Sequence, residues 1–335
     1  MMRRAFSSGL ASSLLAACAP TVQRAFPPVA GFGGPRFTRE HFVSFDGAQL
    51  GLTTWQVQGE PWAVIVGLHG MNDYANAFHM AAPWWAKQGI ATYAYDQRGF
   101  GRSPHRGVWG GEELMAEDLR VAVHLARERH PNAVIAVVGE SMGGAVAITA
   151  FASDRPPAAD RLVLLAPAVW GWSSQPLPNR TLLWFSAHVA GSMVIKPPRW
   201  VTENIRASDN FEELVRMGQD PLMIWGARND AVYGLVRLME KAWASTGRLQ
   251  VPTAYLYGAN DQIIPAEPSV QAASRLKPSD RTAWYERGWH LLLRDKQAEV
   301  VWRDVAVFIR DPAAPLPSAT PAIKAPSSSR RVSGL

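Results

Sequence analysis

The chain of 335 residues contains a single cysteine, Cys18. No intramolecular disulfide can form, and no spaced Cys/His cluster offers a metal site, so nothing in the sequence calls for a metal or a cofactor. Charge is sparse at 19% Asp, Glu, Lys and Arg, with a formal net charge of +6. No basic run interleaved with aromatics is present, which argues against nucleic acid as a partner. There is no internal repeat. What the chain does have is apolar residues, 47% of the total, ample for one large α/β core.

The N terminus reads Met1-Met2-Arg3-Arg4, then a mildly apolar stretch from Ala5 to Ala17, then Cys18. This is a positive n-region and a short h-region, too brief to span a bilayer. Leu15-Ala16-Ala17-Cys18 resembles a bacterial lipobox, in which the cysteine is lipidated and becomes the new N terminus. That reading predicts a protein of the bacterial cell envelope, anchored in the membrane through Cys18 and facing the periplasm. Two others stay open: cleavage after Ala19 at a small-x-small site, giving a soluble exported protein, or a cytoplasmic enzyme. The Pro/Gly-rich residues 19–35 read as an extended tether. Residues 312–335, rich in Pro, Ser and Ala, read as disordered.

The centre of the sequence is Val134-Ile135-Ala136-Val137-Val138-Gly139-Glu140-Ser141-Met142-Gly143-Gly144. A β-branched apolar run breaks at a glycine, and a helical stretch follows at once. Gly139-Glu140-Ser141-Met142-Gly143 has the G-x-S-x-G form of a nucleophile elbow in the strand-turn-helix context an elbow requires. The turn is tight enough that a Cβ at the flanking glycines would strike the adjoining strand or helix. The serine is pushed onto strained backbone at a helix N-terminus, where free N–H groups favour developing negative charge.

Around this stretch strands and helices alternate. Strands are expected at 42–45 and 50–57, joined by the hairpin signal Asp46-Gly47, and at 63–68, 90–95, 162–165, 253–257 and 282–286. Helices are expected near 78–87, 112–129, 145–152, 232–243, 266–276 and 296–309. Such alternation predicts a mostly parallel sheet with helices on both faces and an active site beyond the carboxyl ends of its strands. The core runs over 36–167 and 226–311. The interruption at 168–225 is too long for a strand-helix connection and reads as an inserted lid. Its Trp170, Trp172, Trp184 and Phe185 are candidates for covering an apolar ligand.

A serine needs a base, and the base needs an orienting acid. His290 and Asp261 each follow a predicted strand, and the order Ser141, Asp261, His290 is that of the α/β-hydrolases. Asp230 is a rival acid, although its place at a helix start suits a capping role better. The oxyanion hole calls for two backbone N–H groups, from Met142 after the nucleophile and from Met71 after the 63–68 strand. His69 suits a role in holding that loop in shape.

From about Phe42 to Ile309 the chain resembles the monoacylglycerol lipase and lysophospholipase branch of the α/β-hydrolases, the serine aminopeptidase-like (S33-type) group. The matching pieces are His69-Gly70, Asp96-x-Arg98-Gly99-x-Gly101-x-Ser103, Gly139-x-Ser141-Met142-Gly143-Gly144, Asp220-Pro221, Gly258-x-x-Asp261 and His290. The family's oxyanion loop often continues with Gly or Ser and a Glu-His; here it reads Met71-Asn72-Asp73-Tyr74. The resemblance implies the α/β-hydrolase fold and hydrolysis of lipid acyl esters, with Ser141 attacking, His290 relaying the proton and Asp261 fixing the imidazole tautomer. Monoacylglycerol is the first substrate class it suggests, and lysophospholipid the alternative. Transfer of the acyl group to another acceptor would use the same triad. Asp96 and Arg98 are expected to brace loops.

Overall fold

The computed structural model describes residues 19–28, 30–198 and 204–324. Cys18 lies outside the described residues, as do Trp200 and the end of the tail. Eleven strands are present among them: β1 (Arg36–Phe37), β2 (His41–Val43), β3 (Gln49–Trp55), β4 (Ala63–Leu68), β5 (Ile90–Tyr95), β6 (Val134–Glu140), β7 (Arg161–Leu165), β8 (Val194–Ile195), β9 (Ala227–Arg228), β10 (Thr253–Gly258) and β11 (Arg281–Tyr285). Nine of them form one sheet in the order β1-β2-β3-β5-β4-β6-β7-β10-β11. From β5 to β11 the neighbours run parallel, while β1, β2 and β3 join antiparallel at one side.

The continuous apolar runs are explained by cover on two faces. In β4, Val64, Val66 and Leu68 enter one core and Ala63 and Ile65 the other; in β6, Ile135 and Val137 oppose Ala136 and Val138. Successive side chains leave a strand on opposite faces, so a strand buried on both must be apolar throughout. One core is closed by α2 (Glu112–Arg129), α3 (Met142–Phe151), α6 (Asn229–Ser245) and α7 (Ala266–Ala273). The other is closed by α1 (Ala81–Lys87) and α8 (Ala298–Arg310). Between β7 and α6 the chain builds α4 (Leu177–Val189) and α5 (Phe211–Gln219), with β8 and β9 paired antiparallel at their base.

Both ends of the described chain depart from expectation. Residues 22–26 are not a free tether. Gln23 donates its backbone N–H to Trp109 (2.9 Å) and its side chain to Val108 (2.8 Å), and Phe26 N–H donates to Asp46 (2.9 Å). Phe26 also packs on the core. The Pro/Gly composition concealed this, because a few specific contacts suffice to dock a short extended strap.

The first part of the tail is ordered for a similar reason. Strand β11 is a sheet edge, and an edge leaves backbone groups in need of partners. Trp284 N–H donates to the Pro321 carbonyl (2.8 Å), and Ile323 N–H to Thr282 Oγ1 (3.1 Å). Leu316 packs onto the core beneath α8.

Arg98 draws the N-terminal half together. Its guanidinium donates to both oxygens of Asp118 in α2 and to both of Asp46 in the β2–β3 turn, all at 2.7–2.9 Å and all buried. Asp96 holds the N–H groups of Ala75 and Arg102. Both side chains are occupied in bracing loops.

Candidate active site

The end of β6 turns sharply into α3. Ser141 has φ +51° and ψ −116°, a backbone conformation that costs a non-glycine residue free energy. It is held there from both sides: its N–H donates to the Leu165 carbonyl (2.9 Å), and its carbonyl accepts from Ala168 (2.9 Å) and Ala145 (3.1 Å). A Cβ on Gly143 would collide with the Leu68 carbonyl, so glycine is required there. Met142 is the first residue of α3, and its N–H has no acceptor within the helix.

The loop after β4 approaches the same serine. A Cβ built on Gly70 would lie 3.3 Å from Ser141 Cβ, which brings the Gly70–Met71 backbone alongside it. His69 shapes this loop and is fully buried. Its Nδ1 lies 2.7 Å from the Gly70 carbonyl and its Nε2 accepts from Gln97 N–H at 2.8 Å, so the ring is neutral with the proton on Nδ1. Burial pushes its pKa down, consistent with that state. Both nitrogens are occupied, and His69 is not free to serve as a base.

His290 and Asp261 meet. His290 Nδ1 donates to Asp261 Oδ2 at 2.8 Å, with both side chains almost wholly buried. The second oxygen of Asp261 accepts from the N–H groups of Ile263 (2.8 Å) and Ile264 (2.9 Å), which fix the carboxylate in plane. Burial alone would lower the imidazole pKa. The Asp261 charge and hydrogen bond, helped by Glu140, outweigh it and hold His290 above its ordinary value, with Arg294 pulling the other way. Asp230 is elsewhere: it pairs with Arg228 (2.6 Å) in the first turn of α6, at the base of the lid.

Sequence reasoning passed over a buried ion cluster behind this pair. Arg294 donates from Nη1 to Asp73 (2.7 Å) and from Nη2 to Glu140 (2.6 Å). In the elbow pattern Glu140 is only a spacer. The available signals were an acidic residue closing an apolar strand and an arginine directly after three leucines, since a charge within apolar sequence needs a buried partner.

The lid tryptophans divide. Trp170 and Trp172 are partly buried against the core, and Ala168, at the lid's start, is bonded to Ser141. Trp184 and Phe185 face outward on α4, 49% and 59% exposed, beside Leu177, Leu182 and Val189. With Trp172, Leu177 and Leu182 they line a groove of about 630 Å³. Ser141 and His290 are not among its lining residues.

The sequence profile of the serine aminopeptidase (S33) hydrolases matches residues 59–297. The chain belongs to that family. It is 26% identical over 283 residues to the monoacylglycerol lipase of Mycolicibacterium smegmatis, covering 81% of this chain and 96% of that one. It is 24% identical over 259 residues to the monoglyceride lipase of Rattus norvegicus, covering 76% and 84%. Among solved structures it resembles the monoacylglycerol lipase of Paleococcus ferrophilus, with TM-score 0.62, 20% identity and coverage of 78% and 99%. It also resembles a soluble variant of the Saccharomyces cerevisiae monoglyceride lipase bound to a substrate analogue, with TM-score 0.67, 16% identity and coverage of 87% and 100%. These two likenesses establish the α/β-hydrolase fold. Among the described residues no cluster of His, Cys, Asp and Glu is arranged to hold a metal ion.

A neighbouring group makes the stability of the fold depend on pH. Asp295 follows Arg294, accepts from Ser208 Oγ (2.6 Å) and Trp289 N–H (2.8 Å), and is pushed up to about 7 by burial. The folded protein therefore keeps this proton up to about pH 7, while the unfolded chain releases it near 3.8. Between those values the folded state binds more protons, so this group's contribution to stability is whole at low pH and declines as pH rises through the window. Asp295→Asn can keep both hydrogen bonds, with its amide donating to Ser208. It is expected to flatten the fall in unfolding free energy between about pH 4 and about pH 7, measured by urea denaturation at a series of pH values. A slope equal to that of the wild type would rule out Asp295 as its source.

Proposed function

We propose that this chain is a serine hydrolase that cleaves carboxylic esters of lipids, with monoacylglycerols as its first substrate class. The observation that carries the reading is the buried Asp261–His290 pair in a site whose serine sits on strained backbone at a helix N-terminus. Similarity to monoacylglycerol lipases over most of the chain supports the substrate class.

In this mechanism His290 Nε2 takes the proton of Ser141 as Oγ attacks the ester carbonyl, and Asp261 stabilises the imidazolium through Nδ1–H. The N–H groups of Met142 and Met71 receive the negative charge that develops on the carbonyl oxygen. His290 then protonates the departing alkoxide, and the reverse proton relay activates a water to release the fatty acid. The buried charges around His290 favour its protonated form, the state that the first step creates.

Ser141→Ala and His290→Ala are each expected to lower kcat on a monoacylglycerol by several orders of magnitude, the double variant being little worse than either. Asp261→Asn should do comparable damage and Asp230→Asn should do little. Turnover of lysophosphatidylcholine in preference to monoacylglycerol, or product found mainly as ester when an alcohol is added, would move the reading to lysophospholipase or acyltransferase. A larger loss in Asp230→Asn than in Asp261→Asn would overturn the assignment of the acid.

The lid is proposed to bury the acyl chain along its apolar residues. Polar replacement of Trp170, Trp172, Trp184 and Phe185 together should cost long-chain esters more than short ones, because each buried CH₂ is worth about 0.8 kcal/mol. The check is kcat/KM on acetyl to dodecanoyl esters. Equal losses across the series would remove these residues from the substrate path.

We also propose that Cys18 is lipidated and anchors the enzyme in the bacterial cell envelope, facing the periplasm. What supports this is the lipobox-like Leu15-Ala16-Ala17-Cys18 together with the strap that follows it. Pro20 and Val22 line the same cleft as His188 of α4, against which Trp184 stacks at 4.2 Å, so an anchored chain would emerge beside the lid. Expression in a bacterial host should yield an N-terminal peptide that begins at Cys18 and carries a lipid mass, and Cys18→Ser should abolish it. Recovery of a soluble periplasmic protein beginning at Pro20 would exclude the anchor.

A further inference from the structure

Four chain segments that must be in register for the proposed chemistry converge on one guanidinium. Arg294 is 1% exposed. Its Nη2 donates to Glu140, which immediately precedes Ser141, and its Nη1 donates to Asp73, two residues beyond Met71. Arg294 itself stands four residues beyond His290. Its Nη1 also lies 3.8 Å from Sδ of Met217 in the lid helix α5.

The His290 loop is sewn to the returning lid by further bonds. Leu291 N–H donates to the Ala207 carbonyl (3.0 Å), Asn210 Nδ2 to the Arg294 carbonyl (2.9 Å), and Ser208 Oγ to Asp295 (2.6 Å). A guanidinium is planar and presents its donors in a fixed fork, so two carboxylates bonded to it are held at a set separation and angle. A lysine would supply the charge without the fork.

We propose that Arg294, gripping Glu140 and Asp73, is a positioning residue that holds the Ser141 turn, the Met71 loop and the His290 loop in register against the lid. This rests on the triad reading above and deepens it. The cluster also has an electrical consequence. The charged groups facing the imidazole are Asp261 from the loop after β10, Glu140 from the end of β6 and Arg294 from its own loop. With Asp73 included, the Arg294 cluster carries two carboxylates and one cation, an excess of one negative charge.

Stability alone does not explain the arrangement, since buried ion groups of this kind can often be replaced by apolar side chains at no loss. Position and charge can be separated by substitution. The experiment follows kcat/KM of the full-length protein on p-nitrophenyl butyrate from pH 5 to 9, with thermal melts run alongside.

Glu140→Gln removes a negative charge beside His290 and should move the acidic limb to lower pH by roughly half a unit. Arg294→Met leaves two carboxylates uncompensated, should move that limb to higher pH, and should lower kcat about tenfold or more with KM within about twofold. Arg294→Lys should leave the limb where it is and still lower kcat. A merely structural role would not move the limb in opposite directions for the two charge variants.

The proposal is overturned if Glu140→Gln leaves the limb in place, if both charge variants move it the same way, or if Arg294→Lys retains full kcat. Should Arg294→Met fail to fold, the other two variants decide alone. A His290→Ala protein that keeps its rate would instead remove the triad reading, whatever the limb does.

Discussion

The structure depends on how closely three pieces of backbone can approach at the carboxyl end of β6. Strand, loop and helix meet there with no room for a Cβ on Gly143, and Gly70 comes within van der Waals reach of the serine. Ser141 takes a positive φ because its N–H and carbonyl are both committed, to Leu165 on one side and to Ala145 and Ala168 on the other. Those partners lie on β7, on α3 and at the start of the lid. The strain is therefore sustained by the parallel sheet and by the helix packed on it, and it sets the serine at a helix N-terminus.

Around that turn the molecule concentrates its buried charge. Asp73, Glu140, Arg294, Asp295, His290 and the side chain of Asp261 are all nearly removed from water, in a molecule otherwise poor in charge. Burial is costly for each of these groups alone, and pairing is what makes it tolerable. The same low-dielectric surroundings strengthen every interaction made there. Asp261 and Glu140 thus favour positive charge on His290, with Arg294 opposing it. Arg98 with Asp46 and Asp118 is the structural counterpart at a distance from the serine. It uses the same fork geometry to tie a turn to a helix.

How much of this was legible in the sequence follows from the kind of force involved. Strand β4 was readable to the residue because burial on both faces favours an unbroken apolar run, and β5 because only Thr92 interrupts one. Glu112–Arg129 was readable because its buried residues, among them Met115, Leu119, Ala122, Val123 and Ala126, fall on one side. Ser141, Asp261 and His290 stood out because each follows a strand. The Arg294 cluster did not, since its members are separated by up to 221 residues and only the fold brings them together. The strap at 22–26 and the tail at 316–323 were misread for a related reason. Composition describes what a segment can do alone, and it says little about an exposed sheet edge or a cleft elsewhere that lacks a partner.

The lid joins these themes. Its start is bonded to the carbonyl of Ser141, and the segment between α4 and α5 is bonded to the loop of His290, so the insertion is tied to the site's backbone at two places. Ala168 and Ala207 mark those two attachments. Ser208, bonded to Asp295, adds a side-chain link that weakens or strengthens with the charge on that carboxyl. The insertion and the His290 loop are thus held to each other by a few hydrogen bonds.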